Sequence, residues 1–183
     1  MQIPTVPTRR LTLRPFREED VVRLHEILSE EDILRYFPNP GTPTLDQIHK
    51  LIANQLKHWE QHGFGWWAVE PIGEHQLIGW NGLQYLPDTD EIEVGFLLST
   101  PYWNQGFATE GARAGLEFAF GKLGLKQVVA IVHPENKASQ RVIEKLDMRF
   151  THEAEYFDMN VYRYEINRKE YELLNKEDRS SLT

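Results

Sequence analysis

The 183-residue chain contains no cysteine. Disulfides, thiolate metal sites and a cysteine nucleophile are therefore excluded. No apolar run approaches the ~20 residues of a membrane-spanning helix, and the first residues, MQIPTVPTRRLTLRP, lack the apolar stretch of a secretory leader. A cytoplasmic location is the expectation, with no membrane partner. Positive charge is in short supply: 20 Lys and Arg stand against 28 Asp and Glu, a formal net charge of −8. That balance argues against a nucleic-acid partner, which needs a basic footprint, but leaves room for a local patch that holds one phosphate group. The seven histidines do not cluster at metal-ligand spacing. His58 and His62 stand four apart in HWEQH without the glutamate placement of a zinc helix, so no metal ligand is assigned. Internal repeats and linkers are absent too. The length suits one domain over 1–183, with a core over about 8–170 and a C-terminal tail over 171–183.

What is present is alternation of strand and helix patterns. RRLTLRPF (9–16) reads as a first strand, and REEDVVRLHEILSEEDILRYF as a helix that Asp20 caps. After PNPGTPT, Thr44 precedes a helix with Leu45, Ile48, Leu51, Ile52, Leu56 and Trp59 on one stripe, ending near Gly63. GWWAVEP and HQLIGWNGLQYL read as paired strands, and DEIEVGFLLS as another. Gly95 inside that last strand permits a bulge or a close backbone approach. A long helix follows from about Phe107 to Lys122 with Ala108, Ala112, Gly115, Leu116, Ala119 and Phe120 on its apolar face. KQVVAIVHP is a short apolar strand, ENKASQRVIEKLDM a helix, and RFTHEAEYF with NVYRYEIN a final hairpin. The fold class is α/β of the mixed α+β kind: one mostly antiparallel sheet with helices on both faces. The terminal hairpin can expose an edge, so monomer and homodimer both stay open.

The strand-to-helix junction STPYWNQGFATEG holds the first chemical signal. Free N–H groups at a helix start bind anions, and glycine lets a phosphate come close. Gln105, Gly106, Phe107, Ala108 and Thr109 offer successive N–H groups; the plainer alternative is a turn that binds nothing. Neither GxxxxGK[ST] nor GxGxxG is present, which excludes a P-loop.

A set of ordered pieces gives this junction company. Thr8-Arg-Arg-Leu-Thr-Leu-Arg14 opens the chain, Glu93-Val-Gly-Phe96 and YWNQGFATE stand in its middle, and Asn136-Lys-Ala-Ser139 and Asp158 follow. In this order the chain resembles the GNAT family of acyl-CoA-dependent N-acyltransferases, and within it the RimJ/RimL-like branch that acetylates ribosomal-protein N-termini. The resemblance spans nearly the whole chain. It implies acetyl-CoA as cofactor and a V-shaped split between the family's fourth and fifth strands. It also implies that the amides of 105–109 hold the CoA pyrophosphate, that the strand through Phe96, Leu97 and Leu98 pairs with the pantetheine arm, and that Asn136 and Ser139 sit near the thioester. Two positions depart from the family pattern: Asn104 in the turn, and Asp147, where the family has glycine in KLGF.

Acetylating an amine requires removing a proton from an ammonium group. At pH 7 that costs about 4.6 kcal/mol for a lysine-type amine and roughly 1 to 1.4 for an α-amine. A carboxylate of raised pKa, direct or through water, supplies the base. Glu91 and Glu93 share one strand face by the period of two. Glu93 matches the family glutamate and is the candidate base; its alternative is a strand carboxylate paired with an arginine. Many family members carry a tyrosine seven residues after the asparagine, where this chain has Ile143. Ser139 is then the candidate proton or hydrogen-bond donor to the thiolate, with helix capping by Asn136 or Ser139 as the alternative and Tyr162 or Tyr164 more remote. For the acceptor pocket the candidates are Tyr36, Phe37, Trp80, Glu91 and Asp158, the last either meeting the amine or fixing a loop. The acceptor is expected to be a protein N-terminus; a small-molecule amine and an idle CoA-binding module are the alternatives.

Overall fold

The computed structural model describes residues 2–180, and the side chains of 2–176. Eight strands form one sheet in the order β1-β2-β3-β4-β5-β6-β8-β7. They are β1 (Val6–Pro7), β2 (Leu11–Arg14), β3 (Trp66–Pro71), β4 (Gly79–Tyr85), β5 (Ile92–Leu98), β6 (Gln127–Val132), β7 (Arg149–Tyr156) and β8 (Met159–Asn167). The helices are α1 (Asp20–Leu28), α2 (Leu45–His62), α3 (Phe107–Gly121), α4 (Lys137–Glu144) and α5 (Arg168–Ser180). Only β5 and β6 run parallel; every other neighbouring pair is antiparallel. β5 pairs with β4 along its full length but with β6 at one register position, Glu93 with Val129. Beyond that point the two strands diverge. The expected split is therefore present, and counting the two-residue β1 makes its arms the fifth and sixth strands.

The period of two sorts the sheet into two faces. Leu13, Trp67, Val69, Leu83, Val94, Leu98, Val128, Ala130, Val132 and Ile166 pack with α3 in one core. Ala68, Trp80 and Leu97 face α1 and the first turns of α2 in the other. α3 comes close because its own face is small. A Cβ on Gly111 would stand 3.5 Å from the buried Asn81 side chain, and one on Gly115 would stand 3.4 Å from it.

Helix ends follow local chemistry. Thr44 and Gln47 form a capping box, and α2 stops at Gly63 with φ 76°. Asp20 does not cap α1 as expected; Glu19 is the N-cap residue, and Asp20 lies inside the helix. Its buried carboxylate takes two 2.7 Å hydrogen bonds from Arg14 instead. α1 is also shorter than the pattern predicts. After Leu28 the chain turns, Asp32 adopts φ 59°, and Glu30 reaches across to accept from the Ser99 hydroxyl and, at 2.7 Å, from the Thr100 N–H. No bulge marks Gly95, which pairs with Gly82 in unbroken register; the neighbour pressed on it is the Trp80 ring, 3.2 Å from where a Cβ would stand. The stretch read as a tail begins as α5, whose Tyr171 and Leu174 pack on the core. Its last residues, 181–183, lie outside the described residues.

Candidate active site

The split leaves backbone groups open on β5. Ser99 donates its N–H to Ile78 at 2.8 Å, and the Leu97 carbonyl lies 2.0 Å from where a Cβ on Gly79 would stand. Odd-numbered residues of this strand thus spend their backbone groups on β4. Even-numbered residues face β6, and past Glu93 they have no strand there to meet. Phe96 and Leu98 therefore line the gap with hydrogen-bonding groups, whereas Leu97 contributes a buried side chain on the α1 and α2 face.

The chain leaves β5 through a short 3-10 turn, Thr100–Tyr102, and enters α3 through two left-handed residues, Asn104 at φ 59° and Gly106 at φ 80°. Asparagine and glycine are the residues that adopt this conformation at least cost. No side chain caps this helix start. Its first ladder bond runs from the Glu110 N–H to the Gly106 carbonyl at 3.0 Å, so the N–H groups of Phe107, Ala108 and Thr109 precede the ladder. The Gln105 side chain turns back to the Pro101 carbonyl at 2.7 Å, leaving the amides uncovered. Arg10 braces the turn. Its guanidinium donates to the Gln105 carbonyl at 2.9 Å, bonds Glu110 at 2.7 Å and lies over the Phe107 ring at 4.4 Å. An open row of amides beside an open strand edge fits a phosphate group joined to an extended amide chain, which is the shape of CoA.

Glu93 stands where the two strands still touch. Its carboxylate is 7% exposed and accepts a 2.7 Å hydrogen bond from the Gln84 amide of β4. Burial pushes its pKa from an ordinary 4.5 up to about 7, against the opposing pull of the Gln84 amide and the Ile131 N–H. Glu91, two residues earlier, has the opposite environment. Burial pushes it up, but the Arg163 guanidinium, 3.1 Å away through Nε, and the Tyr156 hydroxyl at 2.5 Å outweigh that and hold it below the usual carboxylate range. The arginine pairing considered for Glu93 thus belongs to Glu91.

Aromatic rings cover the Glu93 face. Trp66 and Trp80 stack at 3.8 Å with planes 7° apart, and Phe37 meets Trp80 edge-on at 6.5 Å. Tyr36 stacks on His133, at the end of β6, with centroids 5.1 Å apart. Asn136 caps α4, its side-chain oxygen accepting from the Ser139 N–H at 3.1 Å; Ser139 itself is half-buried at the first turn. Ile143 is buried at 2% exposure, Tyr164 is buried in the α3-side core, and Tyr162 packs against that core. Asp158 is exposed at the tip of the β7–β8 hairpin, where Phe157 and Asp158 take φ 54° and 58°, the two positive angles of a tight type I′ turn. Asp147 adopts φ 60°, so the aspartate reproduces the left-handed backbone that the family's glycine supplies. Sequence reasoning missed Gln84, His133, Arg10 and Glu30. Arg10 was visible as the second arginine of the opening strand; the other three depend on pairings between distant segments. Among the described residues no group of three metal-ligating side chains stands together, and no helix is long and apolar enough to cross a membrane.

Comparison with known proteins agrees with this geometry. Residues 10–149 match the acetyltransferase (GNAT) domain family. The chain is 31% identical to the uncharacterized N-acetyltransferase YnaD of Bacillus subtilis, over 79% of this chain and 82% of that one. It is 29% identical to the FsC-acetyl coenzyme A-N(2)-transacetylase of Aspergillus fumigatus, over 94% and 80%. Its fold superposes on an acetyltransferase from Agrobacterium tumefaciens with a TM-score of 0.81 at 27% identity, covering 91% and 96% of the two chains. It also superposes on RimL, a ribosomal L7/L12 α-N-protein acetyltransferase in complex with coenzyme A, with a TM-score of 0.77 at 17% identity, covering 91% and 99%. The chain belongs to the GNAT family and is an acetyl-CoA-dependent N-acetyltransferase.

Proposed function

We propose that this acetyltransferase modifies the N-terminal α-amine of a protein, as in the ribosomal-protein branch, with its residues 1–183 working as one catalytic unit in the cytoplasm, as monomer or homodimer. The observation that carries this reading is Glu93, buried at the vertex of the split with a pKa of about 7. An α-ammonium, with a reference pKa of about 7.7 to 8.0, passes its proton to such a base at a cost of roughly 1 to 1.4 kcal/mol; a lysine-type ammonium, near 10.4, costs about 4.6. The base is thus matched to an α-amine. The fold likeness to RimL supports the same acceptor.

In this reading the amides of 105–109 hold the CoA pyrophosphate, and the Phe96 and Leu98 backbone groups align the pantetheine arm. Acetyl-CoA, when bound, would supply the thioester carbonyl that the amine attacks, with CoA thiolate as the leaving group. Glu93 removes the amine proton, directly or through one water, and Gln84 orients its carboxylate. Asn136 fixes the first turn of α4, and Ser139 donates a hydrogen bond to the departing thiolate. The stacked Trp66 and Trp80, with Tyr36 and Phe37, wall the acceptor channel, and Asp158 at the hairpin tip meets the acceptor from outside. Glu91 shapes the channel through Arg163.

A second reading, a small-molecule amine acceptor, draws support from the Aspergillus relative. Acetyl-CoA turnover on peptides with free N-termini, blocked peptides carrying one lysine, and polyamines separates the two. Faster turnover of free N-termini is expected; turnover confined to polyamines overturns the peptide reading, and no turnover of any amine leaves a CoA-binding module. Ser139→Ala is expected to lower kcat about tenfold across the whole pH range.

A further inference from the structure

Trp103 is the exposed member of the five tryptophans. It is 46% exposed, whereas Trp59, Trp67 and Trp80 are at most 5% exposed and Trp66 is half-buried. An exposed indole is ordinarily free to turn. This one is pinned: its Nε1–H donates to the Leu98 carbonyl at 2.6 Å. That carbonyl is the last acceptor on the open edge of β5, by the alternation that turns Phe96 and Leu98 toward the gap. The backbone of Trp103 is held as well, its N–H donating to Thr100 at 3.1 Å, directly ahead of the left-handed Asn104.

We propose that Trp103 is a cofactor-positioning residue that fixes the register of the pantetheine arm. The inference rests on the acetyl-CoA reading of the same split. An extended amide chain pairing with a strand edge can slip by two residues unless something breaks the repeat. Along this edge the repeat is broken at Leu98, because the indole occupies its carbonyl. The Phe96 carbonyl stays free and accepts from the N–H of the amide nearest the sulfur, since a trans amide turns only one of its two groups toward the strand. Leu98 offers N–H alone and takes the carbonyl of the second amide. A slip toward the turn would set an amide N–H of the arm against an acceptor already in use. The exposed indole is bonded to that last edge residue and stands two residues ahead of the amides of 105–109, so in this proposal the arm passes over it on leaving the strand for the phosphate turn.

The test uses Trp103→Phe, which keeps a ring and removes the donor, and Trp103→Ala, which removes both. Two acetyl donors are compared: acetyl-CoA, and S-acetyl-N-acetylcysteamine, which carries the thioester and the first amide only. For Trp103→Phe, KM for acetyl-CoA is expected to rise about three- to tenfold with kcat at saturation unchanged, and further for Trp103→Ala. kcat/KM for the short donor should stay at the wild-type value in both, since that donor ends before Leu98. Quenching of tryptophan fluorescence by CoA should be present in the wild type and mostly lost in both variants. Wild-type KM for acetyl-CoA in both variants overturns the proposal, as does an equal loss on both donors, which marks general damage to the fold. A wild-type protein that neither binds CoA nor turns it over overturns the activity reading, and this one with it.

Discussion

On the cofactor side of the split, along β5 and the start of α3, the groups turned outward are backbone N–H and C=O. On the acceptor side, under α1 and α2, the groups that carry chemistry are side chains: Glu93 on Gln84, Glu91 on Arg163, and stacked rings above them. The first surface depends on conformation. It needs Asn104 and Gly106 left-handed and strand β6 turned away, and it is indifferent to most side chains. The second depends on identity, because its function lies in one carboxylate whose burial sets its protonation. The two halves of one site should therefore answer to mutation in different ways.

The sharpest separation comes from Glu93→Gln. It should leave CoA affinity intact and lower kcat about 10²- to 10⁴-fold. The deficit should shrink as pH rises and the acceptor loses its proton unaided, and shrink first for α-amines. Steady-state pH–rate profiles at saturating acetyl-CoA check this; a near-normal kcat would remove Glu93 from proton transfer and leave positioning as the main device.

The same variant should be more stable than the wild type. Glu93 holds its proton up to about pH 7 in the folded state but releases it near 4.5 when unfolded. Folded protein therefore binds the extra proton between those values, so stability falls as pH rises through that window and levels off above it. Glu93→Gln escapes this loss and should gain on the order of 3 kcal/mol at pH 8 and almost nothing at pH 4. Urea unfolding at the two pH values measures the difference.

Gly106→Val tests the backbone half. A β-branched residue at φ 80° is strained, and its Cβ would press toward the Arg10 guanidinium at 3.4 Å. CoA affinity by calorimetry should fall about tenfold or more, with kcat for bound acetyl-CoA little changed. The smallest effect belongs to Gln105→Ala. The amide N–H at that position survives, so CoA affinity should stay within about twofold. A large loss there would give the Gln105 side chain a direct role and break the distinction between the halves.

The same contrast governs what the sequence made legible. Backbone conformation leaves a local signature: NQGFATE after a strand, Thr44 ahead of α2, and Gly63 at its end each announce themselves within a few residues. The sheet followed from such signals and from period-two alternation, whereas its split was implied only by the family resemblance. Side-chain pairing leaves none. Gln84 meets Glu93 only because β4 and β5 pair in that register, and Arg163 meets Glu91 from 72 residues away. The overrun of α1 has the same origin. Ile33, Leu34 and Phe37 continue a helical spacing, but Glu30 finds better partners in Ser99 and Thr100 than another helical turn provides.

That Glu30 contact has a mechanical consequence. One end of the segment from Glu30 to Tyr36 is fastened just past β5, and the other is stacked on His133 just past β6. The segment is thus a tie across the mouth of a two-armed frame. Spreading the arms must stretch it, slide Tyr36 off the imidazole or detach Glu30. The spacing of the strands and the placement of the loop that walls the acceptor side therefore vary together, as one coordinate.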